Sequence, residues 1–150
     1  MCGIVGILNL NGKPVKQSVI KLMTDKIAHR GPDGEGQWHN GPIGLGHRRL
    51  SIIDLTTAGA QPMVSKSGRC VLTYNGELYN FRELRKELEE SGRVFNSKTD
   101  TEVVLAAYLI YGDEFLNKIN GMFSILIYDF KLNKFLISRD PFGQKPLYYY

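Results

Sequence analysis

The sequence of 150 residues predicts an α+β fold with mainly antiparallel sheets and layered helices. Two observations lead to this class. Short apolar runs and helical periodicities follow the order strand, helix, several strands, two helices and strands, and turn signals join neighbouring strands into hairpins rather than into regular βαβ units. A chain of this length buries roughly two-thirds of its unfolded surface, so we expect one domain that folds without disulfides or a structural metal.

The first predicted elements are a buried strand and an amphipathic helix. Residues 3–10 form an apolar, β-branched run that ends at a turn containing glycine and proline. Apolar residues then recur every three or four positions, which predicts a helix ending near His29 whose buried face is Val15, Val19, Leu22, Met23 and Ile27. Seven glycines and three prolines between His29 and Pro62 predict loops and short strands there, including a strand over residues 43–50.

The second half of the chain predicts a strand, two helices and a hairpin, over residues 69–74, 81–92, 99–112 and 122–139. The strand is expected to end at Asn75-Gly76, a pair that is typical of hairpin turns. Thr99 and Glu102 have the spacing of a capping box, which marks the start of the second helix. Cys70 falls inside the strand and is expected to be a core residue.

Composition and charge argue against several classes of function. Lys and Arg number 19 against 15 Asp and Glu, a net charge of +4, but the basic residues are dispersed, which disfavours a nucleic-acid surface. The longest strongly apolar stretch, residues 122–128, is far shorter than the roughly 20 residues of a membrane span. The start of the chain lacks the pattern of a signal peptide. We therefore expect a cytoplasmic protein that binds neither nucleic acid nor membrane.

The cysteines and histidines do not form a recognisable metal site. Cys2 and Cys70 are expected to stay unpaired in a reducing cytosol. His29, His39 and His47 have no metal-ligand spacing with each other or with the cysteines, so we expect no metal and structural roles for the histidines.

Cys2 is the residue with the most reactive chemistry. Methionine aminopeptidase removes Met1 when the next side chain is small, which would make Cys2 the first residue of the chain. A free α-amine has a pKa of roughly 7.7–8.0 and can accept the thiol proton without a histidine. By position alone, the simpler interpretation is favoured: Cys2 is a small residue at the end of a strand.

Seven segments change that interpretation. They are MCGIVGI at the start, HRGPDGEG at 29–36, HRRLSIID at 47–54, AGAQPM at 58–63, YNGELYNF at 74–81, TDTE at 99–102 and SRDPFGQKPLYY at 138–149. In this order and spacing they strongly resemble the N-terminal glutaminase domain of glutamine-hydrolysing asparagine synthetases, a class II glutamine amidotransferase. The resemblance implies the N-terminal-nucleophile hydrolase fold, a four-layer αββα sandwich of two mainly antiparallel sheets.

The resemblance also implies a reaction and its catalytic residues. In that family the N-terminal cysteine attacks the side-chain amide of glutamine, forms a glutamyl thioester and releases ammonia, and water then releases glutamate. Cys2 matches the nucleophile. The side chain of Asn75 and the backbone N–H of Gly76 match the donors that stabilise the tetrahedral oxyanion, although the same pair is otherwise typical of a turn.

Further residues match the glutamine-binding positions of the family. Arg49 is expected to bind the α-carboxylate and Asp100 the α-ammonium, with Glu77 and the backbone of Leu50 and Ile52 lining the site. Without the resemblance, the charged residues would be interpreted as surface ion pairs or, for Asp100, as a helix cap. The neighbouring Arg48 is expected to face solvent.

The family extends beyond what this sequence contains. Its glutaminase domain continues through further strands, the residues 148–150 lying inside one, and an ATP-dependent synthetase domain follows. We therefore expect residues 1–150 to be a C-terminally incomplete domain that holds no cofactor, with ATP and Mg²⁺ needed only by the synthetase domain.

Two hypotheses follow. The chain is an enzyme module that supplies ammonia to the synthetase domain, or it is a non-catalytic binding or structural fragment, inactive through truncation or retained Met1. The final ammonia acceptor and the oligomeric state, a homodimer included, stay open.

Overall fold

The computed structural model describes residues 1–52 and 54–150. Within them the strands and α-helices are β1 (Gly3–Leu8), α1 (Gln17–Lys26), β2 (Gly34–Asn40), β3 (Ile43–Arg49), β4 (Met63–Val64), β5 (Cys70–Leu78), α2 (Phe81–Glu90), α3 (Asp100–Tyr111), β6 (Gly121–Asp129) and β7 (Lys134–Arg139). Short 3-10 turns cover Ala28–Arg30, Thr57–Gly59 and Gly112–Asn117. None of these helices has the length and apolar character needed to cross a membrane.

The strands form two antiparallel sheets that pack face to face. The first sheet has the order β1-β3-β2 and the second the order β4-β5-β6-β7. Apolar side chains from both sheets meet between them, including Leu45 of β3 and Val71 and Leu126 of the second sheet. Helix α1 packs on the outer face of the first sheet, whereas α2 and α3 cover the outer face of the second. The predicted four-layer αββα arrangement is therefore confirmed.

The face that α1 buries differs from the predicted one. Of the predicted face, Val15 is buried and Met23 and Ile27 are half-buried, but Val19 and Leu22 are exposed. Ile20 and Thr24 are buried instead. Glycines in β3 remove the side chains that would hold the helix away from the sheet, and a Cβ at Gly44 would lie 2.7 Å from Ile20. Thr24 fits this dry interface because its hydroxyl donates to the carbonyl of Ile20 over 2.7 Å. Apolar periodicity could not identify the buried face because a threonine occupies it.

The strand predicted over residues 69–74 was expected to end at Asn75-Gly76, and this prediction is wrong. β5 continues to Leu78, with Asn75 opposite Ser124 and Gly76 opposite Phe123 of β6. The turn propensity of Asn-Gly is overridden because β6 offers an unbroken partner along all nine residues of β5. Asn75 and Gly76 thus lie within a strand rather than in a turn between strands.

Other boundaries agree with the predictions more closely. The β6–β7 hairpin is confirmed, and Thr99 accepts the N–H of Glu102 over 3.3 Å at the start of α3.

The predicted burial of the first strand is wrong. β1 is an edge strand and only half-buried.

The strand expected around residues 148–150 is not formed. β7 ends at Arg139, and the carboxylate of Asp140 then accepts the N–H groups of Phe123, Gln144 and Lys145. The three terminal tyrosines are exposed.

Candidate active site

A cavity of about 180 Å³ lies between the residue preceding β1, the end of β3, the second half of β5 and the start of α3. All of the predicted site residues line it: Cys2, Arg49, Leu50, Ile52, Asn75, Gly76, Glu77 and Asp100. Further lining residues include Met1, Asp54, Gln61, Tyr74 and Lys145. Segments that lie far apart in sequence therefore meet in one concave site.

The Cys2 side chain is fixed by the end of β3. The N–H of Leu50 donates to the Cys2 sulphur over 3.3 Å, and the carbonyl of Leu50 lies 3.6 Å from the same atom. On the other side, Nε of Arg30 donates to the Cys2 carbonyl over 3.1 Å. Cys2 is thus held through both its side chain and its backbone.

The second half of β5 presents backbone N–H groups to the cavity. β4 pairs only with Val71 and Leu72, so the rest of that edge has no neighbouring strand. Side chains occupy two of the free donors: Gln61 accepts the N–H of Tyr74 over 2.6 Å, and Asp100 accepts the N–H of Leu78 over 3.1 Å.

Gly76 lies midway between these two capped donors. Because N–H groups along a strand alternate between its two edges, the N–H of Gly76 points to the same side as those of Tyr74 and Leu78. A Cβ at this position would lie 2.5 Å from the carbonyl of Met122 and 2.6 Å from the Tyr74 ring. Glycine is therefore required here for close packing, although its backbone is not left-handed.

The Asn75 side chain lies on the inner face of the second sheet. Thr73 shares that face and donates to the carbonyl of Gly46 in the first sheet over 3.4 Å. Asn75 is buried and lines the cavity beside Cys2. A buried amide and an adjacent backbone N–H can together bind an oxyanion.

Asp100 is a buried carboxylate at the first residue of α3. Its Oδ2 accepts the Tyr74 hydroxyl over 3.0 Å as well as the N–H of Leu78. Burial raises the pKa of Asp100, and these hydrogen bonds act against that rise. Burial and the nearby Asp100 raise the pKa of Tyr74 well above its usual value, so the phenol stays neutral and donates. No ion pair among the described residues includes Asp100.

Arg49 joins the end of β3 to the loop that follows. Its Nη1 donates to the carbonyl of Thr56 over 2.7 Å and its Nη2 to the carbonyl of Asp54. A guanidinium carries five N–H donors, so others are available for an anion in the cavity. The loop is held a second time through the Asp54 carboxylate, which accepts from Thr56 and from the N–H of Lys98. These hydrogen bonds, first those from Thr56, lower the pKa of Asp54 to about 2.

The remaining predicted residues lie at the rim or in the wall. Glu77 and Ile52 are exposed at the mouth of the cavity, whereas Leu50 is half-buried and contacts Cys2 through its backbone. Arg48 does not face solvent as expected. Its side chain is only 15% exposed and forms ion pairs with Asp25 and Glu35.

Sequence reasoning missed three residues that shape the site. Gln61 caps the N–H of Tyr74 and also donates to the Thr101 hydroxyl over 3.2 Å. Tyr74 binds Asp100, and Arg30 binds the backbone of Cys2. All three lie within the quoted motifs, which was the only signal that could have identified them.

The histidines and the second cysteine lie apart from this chemistry. His47 is buried between the sheets, and desolvation lowers its pKa to about 4, so it is neutral at physiological pH. Cys70 is fully buried, and burial raises the pKa of its thiol to about 12. Across residues 1–52 and 54–150, no group of three or more His, Cys, Asp or Glu side chains could hold a metal ion.

Comparison with known proteins agrees with this fold. The glutamine amidotransferase domain family matches residues 1–150. Asparagine synthetase [glutamine-hydrolyzing] 1 of Bacillus subtilis (strain 168) is 45% identical over 152 residues, which is 99% of this chain and 24% of that protein. Amidase chry2 of Gibberella zeae is 39% identical over 162 residues, covering 99% of this chain and 24% of that protein.

A solved structure shows the same architecture. The glutamine phosphoribosylpyrophosphate amidotransferase of B. subtilis, in complex with ADP and GMP, superposes with a TM-score of 0.76 at 21% identity. The match covers 95% of this chain and 38% of that chain.

The fold is therefore that of the N-terminal-nucleophile hydrolases. The chain belongs to the glutamine amidotransferase domain family, and the predicted resemblance to the glutaminase domain of asparagine synthetases is confirmed. It spans about a quarter of the length of the curated relatives it matches.

Proposed function

We propose that this chain hydrolyses L-glutamine to glutamate and ammonia, with Cys2 as the nucleophile after removal of Met1. The observation that carries the proposal is the meeting of the Cys2 thiol with Asn75 and the cavity-facing N–H of Gly76 in one site. Membership of the glutamine amidotransferase domain family supports the same reaction.

Glutamine binds through its two charged ends. Its α-ammonium pairs with Asp100, since a buried carboxylate without a protein cation is stabilised by a bound one. Its α-carboxylate binds the N–H groups of Arg49 that the loop carbonyls leave unused. Glu77 and Ile52 border the mouth, and the backbone of Leu50 lines the wall. The side-chain amide then extends toward Cys2.

The first half of the reaction releases ammonia. The neutral α-amine of Cys2 accepts the thiol proton, and the thiolate attacks the amide carbon of glutamine. The carbonyl oxygen becomes an oxyanion that accepts hydrogen bonds from Asn75 and Gly76. The C–N bond then breaks, the leaving nitrogen takes the proton back from the α-ammonium, and a γ-glutamyl thioester on Cys2 remains.

The second half of the reaction regenerates the thiol. A water molecule gives one proton to the α-amine and attacks the thioester carbon, and the same donors stabilise the second oxyanion. The C–S bond breaks, and the sulphur takes the proton from the amine. These steps use no cofactor of this chain.

In the full-length protein, we propose that the ammonia passes to an ATP-dependent synthetase domain that binds ATP and Mg²⁺ and makes asparagine from aspartate. The similarity to asparagine synthetases supports aspartate as the molecule that accepts the ammonia. The similarity to an amidase is compatible with a related carboxylate as the acceptor. We propose a cytoplasmic location and no membrane or nucleic-acid partner. The oligomeric state, a homodimer included, stays open.

The nucleophile can be tested by covalent labelling. The glutamine analogue 6-diazo-5-oxonorleucine should modify Cys2 with one equivalent of label, detected by mass spectrometry of the digested chain, and an excess of glutamine should slow the labelling. The Cys70→Ala variant is the matched control and should label as the wild type does. Labelling of Cys70, or equal labelling with and without glutamine, contradicts the assignment.

The non-catalytic alternative has its own readout. A retained Met1 acylates the nitrogen of Cys2 and removes the base, so such a chain would bind glutamine without hydrolysing it. Intact mass distinguishes the two forms directly, and we expect a mass lower than that of the full sequence by one methionine residue. A processed chain that stays inactive would favour the alternative.

A further inference from the structure

Lys145 is a buried lysine that lines the cavity together with Cys2. Its side chain and backbone are 5% exposed. It lies in the loop after β7, far in sequence from the other residues of the site. Buried lysines are rare unless their ammonium group has a partner, so its position needs an explanation.

The backbone of Lys145 is fixed beside the catalytic strand. Its N–H donates to Asp140 over 3.0 Å, and its carbonyl accepts from the Ser124 hydroxyl over 3.1 Å. Ser124 lies directly opposite Asn75 in the β5–β6 pair, so the two side chains share one face of the sheet. Lys145 is thereby anchored next to the proposed oxyanion donor.

The side-chain nitrogen of Lys145 contacts the side chain of Met1. Its Nζ lies 3.0 Å from the Met1 sulphur, and a thioether is only a weak acceptor. In the part of the chain that the structure describes, no ion pair includes Lys145. The amino group of Lys145 thus contacts the residue whose removal creates the new α-amine.

We propose that Lys145 is a positioning residue that keeps the α-amine of Cys2 unprotonated near neutral pH, so that the amine can accept the thiol proton. This inference rests on the proposed function. A neighbouring positive charge disfavours the cationic form of an amine, and the effect is strongest where water is excluded. The same charge favours the thiolate that forms when the proton moves.

Other charged groups also face the new N terminus. Arg30 and Arg49 act in the same direction as Lys145. The carboxylates of the cavity wall and of the Lys145 loop oppose it, namely Asp54, Glu77, Asp100 and Asp140. The Tyr74 phenol and the Cys2 thiol also line the cavity. None of these groups changes when Lys145 is replaced. A comparison of neutral and charged substitutions at this one position therefore isolates its effect.

The experiment is the pH dependence of kcat/KM for glutamine hydrolysis by the chain that has lost Met1. The acid limb of this profile reports the base of the free enzyme. In Lys145→Met and Lys145→Gln, we expect the acid limb to move to higher pH by about one unit. This shift lowers kcat/KM about tenfold near pH 6.5 and leaves kcat/KM near pH 9 little changed. Lys145→Arg, which keeps the charge, and the exposed control Lys66→Met should follow the wild-type profile.

A second readout does not require turnover. The rate at which iodoacetamide alkylates Cys2 should show the same shift between wild type and the neutral variants. Acid limbs that do not shift in the neutral variants would overturn the proposal. A loss of kcat/KM by the same factor at every pH would also overturn it, because that result indicates a merely structural role. A wild-type chain that releases no glutamate at any pH would instead overturn the proposed function, while the alkylation profile still decides the role of Lys145.

Discussion

The hydroxyl of Tyr74 donates a 3.0 Å hydrogen bond to the carboxylate of Asp100 inside the cavity. Both side chains are buried, and burial raises the pKa of each. The bond therefore joins a neutral donor to a buried carboxylate that has no cationic side chain among its described partners. Under the proposed function, this pair is what prepares Asp100 to bind the α-ammonium of glutamine.

Removal of the Tyr74 hydroxyl should weaken glutamine binding. A hydrogen bond to a charged group contributes about 1.5–3 kcal/mol, so Tyr74→Phe should raise KM roughly tenfold or more while kcat falls less. Steady-state kinetics at neutral pH measure both. Tyr79→Phe is the matched control because Tyr79 is exposed, and it should leave both constants unchanged. An unchanged KM in Tyr74→Phe would show that the pair does not serve binding.

Truncation of Asn75 should act on the chemical step. Without its amide, one of the two proposed oxyanion donors is lost, and Asn75→Ala should lower kcat by about 10²–10³ with a smaller change in KM. Asn40→Ala, at the exposed end of β2, is the control. If the Asn75 variant lost affinity but kept its kcat, the oxyanion role would be wrong.

A side chain at Gly76 should disturb the strand. The added Cβ of Gly76→Ala would meet Met122 and the Tyr74 ring at 2.5–2.6 Å, and such overpacking costs about 1–3 kcal/mol. Chemical denaturation measures the loss, which should be accompanied by lower activity. At Gly34 the nearest atom to a Cβ is 3.8 Å away, so Gly34→Ala should be neutral or slightly stabilising. Equal stability of the two variants would contradict the packing argument.

His47 should make the fold sensitive to mild acid. Desolvation lowers its pKa from 6.5 to about 4, so between these values the unfolded chain binds more protons than the folded chain. Stability is therefore lost as pH falls from 6.5 to 4, by about 3 kcal/mol over the whole interval. His47→Gln should lack this contribution, so its free energy of unfolding should fall less steeply between pH 6.5 and 4. Chemical denaturation at several pH values measures the difference. Parallel declines in the two proteins would be inconsistent with a neutral buried His47.

The layers of the fold were predictable because their signals are local. Helix α3 begins where Thr99 can cap it, and the β6–β7 hairpin follows from two apolar runs around a short turn. The continuation of β5 through Asn75-Gly76 was not predictable in this way. It depends on pairing with β6, which lies more than forty residues further along the chain.

The site was predictable only in part. The motifs, through the family they resemble, predicted Cys2, Arg49 and Asp100 as site residues, and all three line the cavity. Gln61 and Lys145 make contacts that form only in the folded chain, one with a backbone N–H of β5 and the other with the N-terminal residue. Neither residue type in isolation predicts such a contact.

Release of glutamate from glutamine by the processed chain tests the central claim most directly. After loss of Met1 has been verified by intact mass, the wild type and Cys70→Ala should release glutamate and ammonia in equal amounts, whereas Cys2→Ala should release neither above the uncatalysed rate. Glutamate release by Cys2→Ala at the wild-type rate, or none from the processed wild type, would contradict the assignment of Cys2 as the nucleophile of a glutaminase.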